Sequence, residues 1–141
     1  MDDCLDFARR LIATPSPSGE EGAAAELVVA EMRRHESEFG ATDFFFIDED
    51  FFISRKRLND LVELLEATSH RWRWSANCRA IYVGDHYLSD SMLARLRAVG
   101  CVSLAIGAES GSQRVLDFIN KKQTPAQIRA AARWNCCKVS R

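Results

Sequence analysis

The sequence lacks most of the features that mark specialised protein classes. Its 141 residues contain no apolar run near the roughly 18 residues that a membrane-spanning helix requires. The N-terminus, Met1-Asp2-Asp3-Cys4, is acidic and no purely apolar segment follows it, which argues against a secretory signal and predicts a cytoplasmic location. The 19 basic and 20 acidic residues give a net charge of −1, so neither nucleic acid nor an anionic membrane is indicated as a partner.

Metal-binding spacing is also missing. The five cysteines form neither a CxxC pair nor a Cys/His array, and they stand at Cys4, Cys78, Cys101, Cys136 and Cys137. Cys78 and Cys101 fall in predicted strands, where we expect buried free thiols that act as small apolar side chains. The sequence therefore predicts no metal ligands.

What the chain does contain is a three-fold alternation of strand and helix. Hydrophobic residues make up 47% of the sequence, a proportion typical of globular proteins. Three apolar segments, 43–50, 72–79 and 101–110, each end in polar residues, and an amphipathic helix follows each one. Parallel α/β folds carry their ligand sites at the carboxyl ends of their strands. We therefore expect a site where these segments end.

Helix boundaries are indicated by capping residues. We predict a first helix over Leu5–Ile12 and a second of about 17 residues that begins at a capping box formed by Ser18 and Glu21. A third helix is predicted over 55–68, with Leu58, Leu61, Val62, Leu64 and Leu65 on its apolar face. The later signals are a cap at Ser89, a stop at Gly100, a start at Ser110 or Ser112, and the N-cap segment Thr124-Pro125-Ala126-Gln127.

The predicted fold is α/β with three consecutive βα units and parallel strands, preceded by one or two helices. Residues 44–47 and 102–106 are nearly continuous apolar runs, which predicts strands buried on both faces and a core position for Phe44 to Phe46. Three units are too few for an eight-stranded barrel, so either a small three-layer domain or a slice of a larger fold is expected. Such a sheet has two exposed edges, which predicts self-association.

Motifs along the chain resemble those of radical S-adenosylmethionine enzymes, in particular those that carry a cobalamin-binding domain. The similar segments are Phe44-Phe45-Phe46-Ile47-Asp48-Glu49-Asp50-Phe51, Cys78-Arg79-Ala80, and Gly107-Ala108-Glu109-Ser110-Gly111-Ser112 followed by Val115, Leu116, Ile119 and Lys121. The resemblance covers about residues 27–134. It implies that the three strands are the second to fourth of a partial (βα)6 barrel.

The same resemblance implies S-adenosylmethionine and a 4Fe–4S cluster as cofactors, the cluster being held by a CxxxCxxC motif. That motif does not occur in this sequence, and Ile81 stands where relatives often carry aspartate. We therefore expect no cluster in this chain and no catalytic activity of the chain alone. The alternative is a non-catalytic structural module or a chimeric product without evolved function.

The resemblance also implies cofactor-binding residues at the strand ends. Glu109 and Ser110, taken to end the third strand, are expected at the ribose of S-adenosylmethionine. Asp48, Glu49 and Asp50 are expected near its amino group. Arg79 is a candidate for a bidentate carboxylate contact, and Asn77 is a further candidate cofactor-binding residue. Without the resemblance, Ser110 is a helix cap, the acidic triplet a solvated strand end and Arg79 a surface ion-pair residue.

Residues 1–35 resemble a different family. Phe7 to Gly22 is similar to the N-terminal helix and turn of zinc-dependent aminoacylase and carboxypeptidase-type peptidases, although the metal ligands of those enzymes have no counterpart here; Asp85-His86 has the wrong order. This predicts two parts, a helical segment 1–35 and a barrel fragment 36–141. A zinc peptidase remnant is the weaker functional alternative.

Overall fold

The computed structural model describes residues 4–15, 22–48, 50–84 and 87–136. Within these ranges the elements are six helices and three strands: α1 (Cys4–Ala13), α2 (Gly22–Phe39), β1 (Asp43–Phe46), α3 (Arg55–Glu66), β2 (Arg73–Cys78), α4 (Asp90–Ala98), β3 (Cys101–Ile106), α5 (Gln113–Phe118) and α6 (Pro125–Cys136). A short 3-10 turn, Ala80–Tyr82, follows β2. The predicted capping box of Ser18 and Glu21 lies outside the described residues, as do Glu49, Asp85 and His86.

The described residues form two compact units, one from 1–42 with 54–71 and the other from 43–53 with 72–141. In the first unit, α2 packs against α3. The buried positions of α2 are Ala25, Val29 and Met32, which lie on one face of the helix. The inner face of α3 is the predicted one, with Leu58, Leu61, Val62 and Leu65 buried.

The second unit contains a sheet of three parallel strands in the order β1-β2-β3. This confirms the predicted α/β class, the parallel βα units and the two preceding helices. The indole of Trp74 is fully buried, and its Nε1 donates to the backbone oxygen of Val99 at 2.8 Å. Phe46 packs edge-on against Trp74 with 5.6 Å between ring centroids. At the β3 edge of the sheet, α4 and α6 pack against β3.

The prediction that the strands are buried on both faces was wrong. Burial alternates along β1 and β2, and Phe45 is 53% exposed while Ile47 is 75% exposed. In the register of the sheet, Phe45 lies beside Ser75, which lies beside Ser103. Successive side chains of a strand point to opposite faces, so these three residues share one face, on which Phe45 and Ser103 are exposed and Ser75 is half-buried. Phe44 and Phe46, on the other face, are half-buried.

Several predicted caps are confirmed. The Ser89 hydroxyl accepts from the backbone N–H of Met92, and α4 ends before Gly100, whose φ is +92°. Thr124 and Gln127 form a reciprocal capping box at the start of α6. None of the helices in the described ranges has the length and apolar character needed to cross a membrane.

Candidate functional site

The carboxyl ends of the three strands surround a cavity of about 530 Å³ in the second unit. Parallel strands bring their carboxyl ends to one edge of the sheet, so the loops that follow them meet there. Its lining contains the charged or polar side chains of Asp50, Asn77, Arg79, Lys121 and Gln123, together with Cys78, Ala105 and Gly107. We refer to it as the strand-end cavity.

The segment after β1 folds into a turn that fixes Asp50. The Asp48 carboxylate accepts from the backbone N–H of Asp50 at 2.9 Å, a local bond typical of aspartate at turns. The backbone oxygen of Asp50 then accepts from the N–H of Ile53 at 3.0 Å. Asp48 therefore shapes the turn, whereas Asp50 lines the cavity. Glu49, predicted as a site residue beside them, lies outside the described residues.

Asp50 is the centre of a small polar cluster. The Tyr82 hydroxyl donates to Asp50 Oδ1 at 2.7 Å, and Arg79 Nη1 lies 3.8 Å from Asp50 Oδ2. The Arg79 guanidinium also lies 5.8 Å from the centroid of the Tyr82 ring. Burial raises the pKa of Tyr82, and its hydrogen bond to the Asp50 carboxylate raises it further, so the phenol stays protonated and acts as a donor.

Tyr82 was not predicted from the sequence. The 3-10 turn after β2 closes with a bond from the N–H of Tyr82 to the oxygen of Arg79 at 3.0 Å. This turn brings two residues that are three apart in sequence to the same carboxylate. The sequence offers only the spacing of Arg79 and Tyr82, and no local pattern predicts the 3-10 turn that brings them together.

Asn77 links the ends of β1 and β2. Its Nδ2 donates to the backbone oxygen of Ile47 at 3.2 Å, one residue beyond the end of β1. A carbonyl at a strand end has lost its ladder partner, so a side-chain donor that satisfies it holds the two strand ends together. Asn77 lines the strand-end cavity with Asp50 and Arg79, so three of the predicted site residues lie together.

The two buried cysteines of the sheet, of which Cys78 lines the cavity, are protonated thiols. Burial raises the pKa of Cys78 to about 12, and the negative charge of Asp50 raises it as well. Burial is also the main cause that raises the pKa of Cys101 to about 12. Both are free and buried, as predicted. Because metals bind the thiolate, these environments disfavour ligation, and the described residues include no group of three metal-ligating side chains.

The third strand ends earlier than predicted. β3 stops at Ile106, and Glu109 lies in the following loop with φ +57°, a conformation that ordinary residues rarely adopt. The N–H of Ser110 donates to the oxygen of Ala108 at 2.6 Å, which closes a tight turn around Glu109. Glu109 therefore points from a loop, where its carboxylate accepts from Lys121 Nζ at 2.9 Å. Lys121 lines the cavity, so the ion pair between Lys121 and Glu109 lies at the cavity wall.

Ser110 is engaged in the turn before α5. Its hydroxyl accepts from the backbone N–H of Ser112 at 3.1 Å, while Ser112 itself stands at the N-cap position and makes no side-chain cap bond. Of the two predicted starting residues, Ser112 is therefore the N-cap, and Ser110 stabilises the turn that precedes it. Neither Glu109 nor Ser110 lines the cavity. Glu109 is hydrogen-bonded to Lys121, which does line it.

Gln123 is the second residue that sequence reasoning missed. It is 5% exposed, and its Nε2 donates to the backbone oxygens of Gly107 at 2.8 Å and Ala108 at 3.3 Å. It precedes α6 by two residues and belongs to no periodic pattern, so nothing in the sequence singled it out. Lys121 belongs to the motif that carries the resemblance, but that motif does not indicate that its side chain lines the cavity.

Two curated proteins resemble the chain over three quarters of its length. An uncharacterized methyltransferase of Pyrococcus horikoshii is 27% identical over 106 residues, which cover 75% of this chain and 22% of that protein. The anaerobic magnesium-protoporphyrin IX monomethyl ester cyclase of Cereibacter sphaeroides is 31% identical over 108 residues, 75% of this chain and 17% of that protein. The chain thus spans about a fifth of the length of these relatives. No protein-family model matches it.

One solved structure has the same fold over most of the chain. It is the apo, selenomethionine-labelled form of the cobalamin-dependent S-adenosylmethionine radical enzyme OxsB, with a TM-score of 0.59 and 19% identity; the match covers 86% of this chain and 18% of that one. This likeness shows the fold, and with the two relatives it supports the resemblance to radical S-adenosylmethionine enzymes. None of these three proteins supports the peptidase resemblance of residues 1–35.

Proposed function

We propose that this chain is a segment of a cobalamin-associated radical S-adenosylmethionine enzyme and that its strand-end cavity binds S-adenosylmethionine. The observation that carries the proposal is the convergence of Asp50, Asn77 and Arg79, together with the Glu109–Lys121 pair, at the carboxyl ends of three parallel strands. That arrangement supports a ligand with charges of both signs, since carboxylates and cations are available within one cavity.

The chemistry of these side chains fits S-adenosylmethionine. The methionine end of that molecule is a zwitterion, and its ribose offers two hydroxyl donors. Asp50 is suited to the ammonium group, and Arg79 and Lys121 are suited to the carboxylate because a charge-assisted bond is stronger than a neutral one. Glu109 and Ser110 are proposed at the ribose, with the Glu109 carboxylate accepting from the hydroxyls.

The residues that the structure describes do not fit a 4Fe–4S cluster. Cys78 and Cys101 are buried with pKa values raised to about 12, and the described residues contain no group of three metal-ligating side chains. We therefore propose that this chain alone binds S-adenosylmethionine without cleaving it. Anaerobic reconstitution with iron and sulfide is expected to load no stoichiometric iron. Visible charge-transfer absorbance together with cleavage of S-adenosylmethionine would contradict this.

Buried, protonated thiols are equally compatible with the alternative of a non-catalytic module. A direct measurement of S-adenosylmethionine binding distinguishes the two. S-Adenosylmethionine is titrated into the 15N-labelled chain, and the amide signals of Asp50, Asn77 and Arg79 are expected to shift. Exposed charge pairs contribute little, so we expect a dissociation constant near 1 mM, equivalent to about 4 kcal/mol.

A matched pair of variants tests the role of Arg79. Arg79→Gln is expected to weaken binding by at most about fivefold, because an exposed charge pair contributes no more than about 1 kcal/mol. Arg73→Gln is the control: Arg73 lies at the opposite end of the same strand and pairs with Asp43 at 3.4 Å, with both side chains 62% exposed. Equal affinity of both variants, or shifts away from the strand ends, would refute the proposed site.

A further inference from the structure

Gln123 is the one buried polar side chain among the described residues. A buried amide is costly unless it is hydrogen-bonded, so the partners of Gln123 are informative. Its Nε2 donates to the backbone oxygens of Gly107 and Ala108, the two residues that directly precede Glu109. The loop before α6 thus holds the loop after β3, across a sequence distance of 15 and 16 residues.

The held loop is strained. Glu109 has φ +57°, in the left-handed region that favours glycine, and the bond from the Ser110 N–H to the Ala108 oxygen is a tight turn around it. Such a conformation persists only where the surroundings over-determine it, and it is enriched at ligand sites. Here the two outside restraints on the turn come from one loop: Gln123 binds its carbonyls, and Lys121 binds the Glu109 carboxylate at 2.9 Å.

We propose that Gln123 is a positioning residue for the strand-end cavity. By fixing the Gly107 and Ala108 carbonyls it keeps Glu109 left-handed, and in that conformation the Glu109 carboxylate meets Lys121 at the cavity wall. The inference rests on the proposed function, because the reason to hold Glu109 there is the ligand that it and Lys121 would contact.

The first test needs no ligand. In Gln123→Met, the three-bond coupling and α-carbon shift of Glu109 are expected to lose their left-handed signature, and the Ser110 amide is expected to exchange at least about tenfold faster because its bond depends on the turn. Gln113→Met is the control, since Gln113 Nε2 donates to Asp117 and to the backbone oxygen of Gln123 but touches no residue of the turn. A variant with a merely structural defect would lose stability without a change at Glu109.

A second variant keeps the proposal testable if Gln123→Met does not fold. Gln123→Glu keeps the shape of the side chain and loses the donors, so it should reproduce the effect if Gln123→Met fails to fold. If Gln123→Met or Gln123→Glu keeps both the left-handed signature and the slow Ser110 exchange, the proposal is wrong.

Titration with S-adenosylmethionine completes the test. We expect Gln123→Met to bind about fivefold more weakly than the wild type, and Gln113→Met to bind as the wild type does, because only the first releases Glu109. Equal affinity of the two variants would overturn the positioning role. If the wild type shows no shift at the cavity, the proposed function fails, and the Glu109 measurements still decide whether Gln123 holds the turn.

Discussion

The protonated state of the two buried thiols leads to a pH-dependent stability. The thiols of Cys78 and Cys101 have an ordinary pKa of 9.0, which burial raises to about 12 in the folded chain. Above pH 9 the unfolded chain therefore releases protons that the folded chain keeps. The free energy of unfolding is unaffected by these thiols below pH 9, and it falls as the pH rises from 9 towards 12.

The size of the effect follows from the shift. At a pH of about 10, one unit above the unfolded value, each thiol lowers the free energy of unfolding by about 1.4 kcal/mol. The two groups together account for roughly 2–3 kcal/mol, because at this pH both thiols are ionised in the unfolded chain and protonated in the folded chain. This is a large part of the stability of a domain of ordinary size.

Urea unfolding near pH 8 and near pH 10 measures this difference. The wild type is compared with Cys78→Ala, Cys101→Ala and the double variant, which lose packing at every pH but should lose less between the two values. Lysines and tyrosines that titrate in this window contribute equally to all four proteins. A double variant whose stability falls as steeply as that of the wild type would refute the assignment of these cysteines as buried, neutral thiols.

Two other predictions concern packing and assembly. Gly100→Ala is expected to lose more than about 3 kcal/mol of stability, because the added Cβ would lie 1.9 Å from the Trp72 carbonyl oxygen at φ +92°; Gly40→Ala, at φ +68° with open space around it, should cost only about 1–2 kcal/mol in the same thermal melts. The chain is also expected to self-associate, because β1 and β3 each pair on one side only among the described residues and Phe45 is 53% exposed. Sedimentation velocity should show less association for Phe45→Lys, and a concentration-independent monomer of the wild type would contradict the idea.

Periodicity and capping residues predicted the elements because those signals are local. The inner face of α3 at Leu58, Leu61 and Leu65, the cap at Ser89 and the stop at Gly100 each depend on neighbours within one or two turns. The parallel order of the strands followed from the alternation of strands and helices, since a parallel pair needs a crossover. These features are visible in the sequence without knowledge of distant contacts.

The missed features depend on contacts between distant segments. Phe45 belongs to an apolar run, and only the arrangement of the whole sheet decides that its face is exposed. Gln123 matters because of bonds to residues 15 and 16 positions away, and Tyr82 matters because a 3-10 turn brings it to a carboxylate 32 positions away. Glu109 lies outside β3 because its backbone adopts a left-handed conformation. The conformational preference of glutamate does not predict such a conformation.

The electrostatics of the cavity set a limit on its affinity. Each charged group there already has a partner: Arg79 lies 3.8 Å from Asp50, and Lys121 lies 2.9 Å from Glu109, with all four side chains 33–46% exposed. A zwitterionic ligand must exchange its own charges with these pairs, and because exposed pairs contribute only about 0–1 kcal/mol each, both the cost and the gain of that exchange are small. Salt should weaken binding further, since it screens exposed charges. Tight binding at this cavity therefore requires that water be excluded from it, because the same contacts become several times stronger at a lower dielectric constant.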